Sequence, residues 1–289
     1  MDAFVSSARR KGSAVVVGLD PDPRHLPPEL LLGERDLTEV GAVREFCLGI
    51  LEAVESEAAA VKLQLAYFER LGPEGMGVYS DLIGASHALG LPTIADAKRG
   101  DVGHVAATYA EAHLSVYGAG GVTVNPYMGA DAVEPFLQEA RRLGRGGGVF
   151  VLVATSNSSA LDIQDSSTPP LYETASRLVG SLGEAGEAGY LDVGAVVGAT
   201  RPEVGRRVRE LLPGALFLAP GYGAQKGDAA GVGAMLDARG AGVLVNSSRG
   251  ILRAFEGRIS SAGGGDYRSA ARYAARRMRE DLEAMGVRV

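Results

Sequence analysis

The sequence predicts an α/β protein with a (β/α)8 (TIM) barrel fold, and three observations support this. Eight short runs of apolar or β-branched residues recur, each followed by polar or glycine residues and then by a helical pattern. Runs such as VVVGL and VFVLV are apolar almost throughout, as expected of parallel strands that are covered on both faces. The strict alternation of strand and helix favours a barrel, and an open, doubly wound sheet is the alternative.

The predicted strands are short, and most end in polar or small residues, as strands that lead into loops do. In chain order they are SAVVVGLD (13–20), AAVKLQLA (59–66), PTIADAKR (92–99), GGVTVNPY (120–127), GVFVLVATS (148–156), DVGAVVGAT (192–200), LFLAPGYG (216–223) and GVLVNSSR (242–249).

Helix-length segments separate these runs. They cover 37–57, 73–89, 103–117, 129–143, 168–188, 201–212 and 228–239, and an arginine-rich helix is predicted over about 266–285. No shift in composition marks a domain boundary, so we expect residues 1–289 to form one barrel domain.

Composition excludes some classes of protein. The net charge is −6 with acids and bases mixed along the chain, so nucleic acid is not an expected partner. No apolar stretch has the length of a membrane helix, and the start, MDAFVSSARRKG, lacks the apolar region of a signal peptide. We therefore expect a cytoplasmic protein without membrane association. The single cysteine, Cys47, is expected to be a buried apolar residue.

The active site of such a barrel lies at the C-terminal ends of its strands. Polar or loop-forming residues gather at these predicted ends. They are Asp20, Lys62, Gln64, Asp96, Lys98, Asn125, Thr155, Ser156, Thr200, Pro220, Gly221, Ser247, Ser248 and Arg249.

The densest group of charges is the stretch DAKRGD. Asp96 and Lys98 are two residues apart on one strand and share a face, and Lys62 joins them from the neighbouring strand. Asp101 follows a glycine and can reach away from this barrel, towards another subunit, whereas Arg99 is predicted to point away from the site. Opposite charges in alternation can each stay ionised when partly buried. A salt-bridge network that only orders the rim is the alternative.

A second group follows the seventh and eighth strands, where barrels commonly bind phosphate. LFLAPGYGAQKGDAAG (216–231) predicts a strand, a glycine-rich loop and a helix, and NSSRGI follows the eighth strand. Gly221 and Gly223 permit close approach of the backbone to a ligand, and Arg249 can bind a phosphate through two hydrogen bonds.

We expect neither a metal nor an organic cofactor. The four histidines have no HExxH-type spacing, and GRGGGV precedes a strand instead of opening a helix, so it is not a dinucleotide fingerprint. The lysines interleaved with the aspartates would oppose Mg²⁺ electrostatically.

DAKRGD resembles the DxKxxD signature of the orotidine 5'-phosphate decarboxylase family. GLDPDP, VKLQLAYFE, TVNPYMGADA, ATSNSSALDIQ, APGYGAQKGD and NSSRGI are similar to that family in the same order, so the resemblance covers nearly the whole chain. DxKxxD alone is shared with sugar-phosphate decarboxylases. Its combination with GLDPDP and PGYGAQKGD is more specific, and resembles the longer bacterial (type 2) branch.

The resemblance implies decarboxylation of orotidine 5'-phosphate to uridine 5'-phosphate in de novo pyrimidine biosynthesis, by a homodimer and without metal or cofactor. It implies that Lys98 is the general acid that protonates C6 and that Asp96 lies against the substrate carboxylate. Lys62 and Asp101 would complete the charged array, with Asp101 donated across the dimer interface. The family often has a threonine four residues after that last aspartate. Val105 stands there instead, and Thr108 is the candidate substitute.

The resemblance also implies substrate contacts. Asp20 and Lys62 would contact the ribose, Ser156 the amide edge of the pyrimidine, and Arg249 the phosphate. Pro220 would line the pyrimidine pocket, and Gln225 would bridge base and phosphate. The expected substrate-binding set is Asp20, Lys62, Ser156, Pro220, Gly221, Gly223, Gln225, Ser248 and Arg249.

Three rival interpretations remain open. One is a phosphosugar lyase of the same barrel type that uses Mg²⁺ and an enediolate intermediate. The second is a nucleotide-binding barrel without turnover, which has no need of four converging charges. The third is a purely structural oligomer.

Overall fold

The computed structural model describes residues 1–31, 37–222, 229–257 and 266–289. Its eight parallel strands pair in chain order and form a closed barrel. Because β1 pairs with both β2 and β8, the barrel prediction is confirmed and the open-sheet alternative is wrong. The strands are β1 Val15–Leu19, β2 Ala60–Gln64, β3 Thr93–Arg99, β4 Gly121–Val124, β5 Gly148–Ala154, β6 Val193–Val197, β7 Phe217–Ala219 and β8 Val243–Ser247.

Helices follow the strands and pack around the barrel. The segment Glu111–Val116 continues α6 as a π-helix. The α-helices are α1 Asp2–Lys11, α2 Pro28–Leu31, α3 Glu39–Val54, α4 Leu65–Glu69, α5 Gly72–Ala88, α6 Gly103–Ala110, α7 Glu134–Leu143, α8 Leu161–Gln164, α9 Leu171–Leu182, α10 Pro202–Leu211, α11 Ala229–Gly233, α12 Arg249–Leu252 and α13 Tyr267–Ala284.

Several helical regions differ from the sequence prediction, which did not include the short helices α2, α4, α8 and α12. The helix α1 was not predicted. In the described part of the segment 228–239, only α11 is helical. That helix ends early because Gly231 and Gly233 are poor helix formers and because Asp237 accepts hydrogen bonds from the main-chain N–H groups of Arg239 and Ala241, which closes a turn.

Helix α1 closes the N-terminal end of the barrel. Phe4 is fully buried and packs edge-to-face on Phe150, with ring centroids 5.6 Å apart. A Cβ atom added to Gly121 would lie 3.1 Å from the Phe4 ring, so the glycine at this strand start leaves room for the helix. We call the resulting apolar cluster the floor. It comprises Met1, Phe4, Val5, Ala8, Val16, Ala59, Ala60, Ile94, Phe150, Tyr190, Val196, Leu216, Leu218 and Leu244.

A second apolar layer lies between the strands and the surrounding helices. Cys47 of α3 is fully buried there, as predicted, and burial raises the pKa of its thiol. Within the described ranges, no helix has both the length and the apolar character that a membrane span requires.

Candidate active site

A cavity of about 640 Å³ opens at the C-terminal ends of the strands. Twelve residues predicted from the sequence line it, namely Asp20, Lys62, Gln64, Asp96, Lys98, Thr155, Ser156, Pro220, Gly221, Ser247, Ser248 and Arg249. Gly223 and Gln225 fall outside the described residues. The cavity lies directly above the floor, since Val196 and Leu218 belong to both.

Asp96 is the centre of the polar contacts in this cavity. Its Oδ1 accepts hydrogen bonds from Lys98 Nζ at 2.6 Å and from Thr123 Oγ1 at 2.9 Å. Its Oδ2 accepts from Lys62 Nζ at 2.8 Å and from Gln64 Nε2 at 2.9 Å. Each carboxylate oxygen therefore has two donors, and the side chain is held in one orientation.

Strand register explains why these side chains meet. Gln64 of β2 lies opposite Asp96 of β3. Lys62 and Lys98 are each two residues from one of that pair, which places them on the same face. We call Lys62, Asp96 and Lys98 the charged triplet. The structure brings the three together, as the sequence predicted.

Asp96 and Lys62 stay ionised although both are buried. Burial opposes the charge on Asp96, but the ammonium groups of Lys62 and Lys98 outweigh it and hold the pKa of the carboxyl well below its usual range. Burial likewise opposes the charge on Lys62, but Asp96 and Asp20 raise its pKa above the ordinary value. Lys62 Nζ lies 3.8 Å from Asp20 Oδ1.

Lys98 differs from its two partners in backbone and exposure. Its side chain is 45% exposed, so its ammonium group contacts both Asp96 and the open cavity. In the described part of the chain it is the one non-glycine residue with a positive φ, +48°. Such a conformation costs about 1–3 kcal/mol and persists only where surrounding contacts impose it. The pairing of β3 with β4 shifts register here, between Ala95 and Arg99.

Arg99 points away from the cavity, as strand alternation predicted. Its Nε donates to His113 Nε2 at 3.2 Å, and its guanidinium forms an ion pair with Glu69 at 3.0 Å. The guanidinium also lies over the Tyr109 ring, 4.8 Å from the centroid. Arg99 therefore joins the end of β3 to the surrounding helices.

Small residues make room on the cavity wall beside the ends of β7 and β8. A Cβ atom at Gly18 would overlap the hydroxyl of Ser248. Gly221 has a φ of +96°, a conformation that a glycine adopts without strain. Arg249 begins the short helix α12, next to Ser248 on the cavity wall.

Two expected contributions at the strand ends are wrong. Asn125 does not line the cavity, because its Oδ1 accepts the N–H of Tyr127 in the turn after β4. Thr123, two residues earlier, enters the cavity instead. Thr200 is also absent from the cavity wall. The residue of β6 that lines the cavity is Val196. Thr123 was missed although it is the one polar side chain within GVTV, a run otherwise expected to be apolar.

Asp101 does not join the charged triplet of its own barrel. Its Oδ1 accepts the N–H of Val102 at 2.8 Å, and its side chain does not line the cavity. Thr108 donates to the carbonyl of His104 within its own helix, and Val105 stands outside the cavity as well. The expected roles of Asp101 and Thr108 towards another subunit stay predictions.

Comparison with known proteins identifies the family. Residues 13–258 match the model of the family described as "Orotidine 5'-phosphate decarboxylase / HUMPS family". The chain belongs to the orotidine 5'-phosphate decarboxylase / HUMPS family. The match includes the charged triplet and every strand of the barrel, so it confirms the resemblance of the motifs.

Several relatives in this family match the chain over most of their own length. The orotidine 5'-phosphate decarboxylase of Rhodopirellula baltica is 40% identical over 290 residues, with 95% of each chain covered. That of Deinococcus radiodurans is 40% identical over 273 residues, covering 94% of this chain and 92% of the relative. The structure of Leishmania donovani OMP decarboxylase has a TM-score of 0.77 at 34% identity and covers 99% of this chain and 98% of its own.

Proposed function

We propose that this chain decarboxylates orotidine 5'-phosphate to uridine 5'-phosphate in pyrimidine biosynthesis, without metal or organic cofactor, and that Lys98 protonates C6. The observation that carries the proposal is the charged triplet on the wall of the cavity at the C-terminal end of the barrel, in a chain of this family. The positions of individual residues on the cavity wall support the roles proposed for them below.

The substrate spans the cavity from its phosphate side to the charged triplet. In this proposal Ser248 and Arg249 bind the phosphate, together with Gly221 and the segment that contains Gly223 and Gln225. Ser156 contacts the amide edge of the pyrimidine and Pro220 lines its pocket. Asp20 and Lys62 contact the ribose hydroxyls. All of these that lie within the described residues border one cavity.

The chemistry breaks one bond and forms one. The bond between C6 and the carboxylate breaks, CO2 leaves, and the electron pair stays on C6. Lys98 then delivers a proton to C6, forming the C–H bond, and the neutral amine recovers a proton from water. The partial exposure of its side chain supports that last step.

Electrostatics lowers the barrier. The pyrimidine ring stabilises the electron pair on C6 poorly, so the ammonium of Lys98 must favour the developing charge. The negative charge of Asp96 disfavours the bound carboxylate and ceases to do so once neutral CO2 departs, which is the differential stabilisation that speeds a reaction. Asp96 stays charged there because Lys62, Gln64 and Thr123 donate to it as well as Lys98.

The proposal includes a homodimer in which Asp101 of each subunit reaches the cavity of the other. Asp101 lies on the rim, beside apolar side chains that a second copy would cover. Val102 is 43% exposed, Tyr127 80% and Met128 47%. A Cβ atom on Gly100 would lie 2.9 Å from the carbonyl oxygen of Asn125, so the two rim segments pack together.

The rival interpretations fit these contacts less well. Mg²⁺ prefers carboxylate oxygens, but both oxygens of Asp96 already accept from ammonium groups. A binding protein without turnover gains nothing from burying Lys62 and Asp96 side by side, because desolvation offsets their attraction.

The test follows the ultraviolet band of orotidine 5'-phosphate after the purified protein is added, in parallel with EDTA and with Mg²⁺. The proposal predicts the same loss of the band in both. Turnover that EDTA abolishes would favour the magnesium lyase. Binding of the nucleotide without any change in the band would contradict the proposed activity and favour the binding protein.

A further inference from the structure

Thr123 connects the two catalytic groups of β3. It lies on the neighbouring strand β4 and is 1% exposed. Its hydroxyl oxygen accepts the main-chain N–H of Lys98 at 2.9 Å and donates to Asp96 Oδ1 at 2.9 Å. A hydroxyl group has one donor and can accept at the same time, so a single side chain serves both residues.

The segment that Thr123 binds is irregular. Between Ala95 and Arg99 the register of β3 against β4 shifts, and Lys98 adopts a φ of +48°. The main-chain N–H of Lys98 therefore has a side-chain acceptor where a regular strand would supply a carbonyl. An unpaired N–H at this place would be unfavourable, because the segment is partly buried.

The next contact along β3 also comes from the chain after Thr123. The N–H of Asn125 donates to the carbonyl of Arg99 at 2.7 Å. Residues 123 and 125 thus hold β3 on both sides of the Lys98–Arg99 peptide bond. These contacts with the backbone around Lys98 come from the neighbouring strand and the residue that follows it.

We infer that Thr123 is a positioning residue, whose hydroxyl holds the backbone of Lys98 and the carboxylate of Asp96 in the arrangement that aims the Lys98 ammonium at the reacting carbon. This inference rests on the proposed function for its kinetic consequence. Its structural consequence, restraint of the Lys98 backbone, stands independently of any reaction.

The test compares Thr123→Val, which keeps the shape and removes the hydroxyl, with Thr123→Ser, which restores the hydroxyl. We expect Thr123→Val to lower kcat about 10- to 100-fold, the effect of a proton donor displaced by about 1 Å, with KM within about threefold of wild type because the phosphate contacts are unchanged. Thr123→Ser should recover most of kcat.

A matched control lies at the other end of β3. Thr93 is equally buried, and its Oγ1 likewise accepts a main-chain N–H, that of Gly120 at 3.2 Å. Thr93→Val should leave kcat and KM unchanged. Equal losses of kcat in the two valine variants, or a kcat of Thr123→Val within about threefold of wild type, would overturn the inference.

Amide hydrogen exchange at Lys98, followed by NMR, gives a readout without turnover. Exchange at this amide should be faster in Thr123→Val than in wild type and Thr93→Val, and slow again in Thr123→Ser. Unchanged exchange in Thr123→Val would overturn the inference. An inactive wild-type protein would overturn the proposed function alone, since the exchange comparison would still decide whether Thr123 restrains Lys98.

Discussion

The two ends of the barrel are built from the same eight strands but differ in polarity, in charge and in whether a helix closes them. The floor is apolar and closed by α1, with the rings of Phe4 and Phe150 in edge-to-face contact. The C-terminal end is open and holds the charged triplet. The floor contributes stability by burial of apolar surface. The charged triplet compensates desolvation with mutual attraction, which makes it a poor source of stability and a good candidate for chemistry.

The largest effect is expected from a substitution at the C-terminal end, and it should fall on catalysis. Lys98→Ala removes the proposed proton donor, so kcat should fall about 10²- to 10⁴-fold, while the circular dichroism spectrum stays that of the folded protein. The measurement is the initial rate of loss of the substrate's ultraviolet band. Lys11→Ala is the matched control and should keep the wild-type rate. It removes the ion pair with Glu55 at the N-terminal end of the barrel. A Lys98→Ala rate within threefold of wild type would contradict the assigned role.

Truncation of the floor should have the converse effect. Phe4→Ala removes a fully buried ring and should lower the free energy of unfolding by about 3–5 kcal/mol, measured by urea denaturation, with kcat per folded molecule unchanged. Phe46→Ala is the comparison, because Phe46 is buried in α3 and also lines the cavity. It should lose stability and raise KM. A large loss of kcat in folded Phe4→Ala would show that the two ends are not separable.

A smaller effect should arise behind β3, where His113 accepts from Arg99. Burial, together with the charge of Arg99, lowers the pKa of His113 from 6.5 to about 4. The unfolded chain therefore takes up this proton at higher pH than the folded protein. The stability that follows is fully present above pH 6.5 and is lost as the pH falls towards 4, by roughly 3 kcal/mol at most.

The measurement is the free energy of unfolding between pH 7 and 4 in wild type and His113→Gln, whose amide oxygen can still accept from Arg99. The variant should lose less stability across this range. His104→Gln, at an exposed histidine, should follow wild type. Identical pH profiles for wild type and His113→Gln would show that His113 is not the buried neutral group described.

The strands could be predicted from the sequence because most of them contain a short, near-continuous apolar run, as parallel strands covered on both faces do. Helix α1 could not. DAFVSSARRK contains four charged residues. Its apolar residues are buried only because Phe4 packs on Phe150 and on the glycines at the strand starts, a contact that the local sequence does not predict.

Part of the site could also be predicted from the pattern of the strands. Strand alternation placed Asp96 with Lys98, and register placed Lys62 beside them. The sequence pattern could not reveal the shift in pairing between Ala95 and Arg99, because that shift depends on how β4 lies against β3. Thr123 was therefore missed, and Asn125 was expected in its place. The proposed contribution of Asp101 involves a second subunit, so no feature of a single chain tests it.

The central claim is that Lys98 exchanges a proton with C6 of the nucleotide. By microscopic reversibility, a group that protonates C6 of the product must also remove that proton. The most direct measurement is therefore NMR of uridine 5'-phosphate incubated with the protein in D2O containing EDTA. The account predicts that deuterium replaces the hydrogen at C6 with the wild-type protein and not with Lys98→Ala. Equal exchange with both proteins, or exchange that requires Mg²⁺, would contradict it.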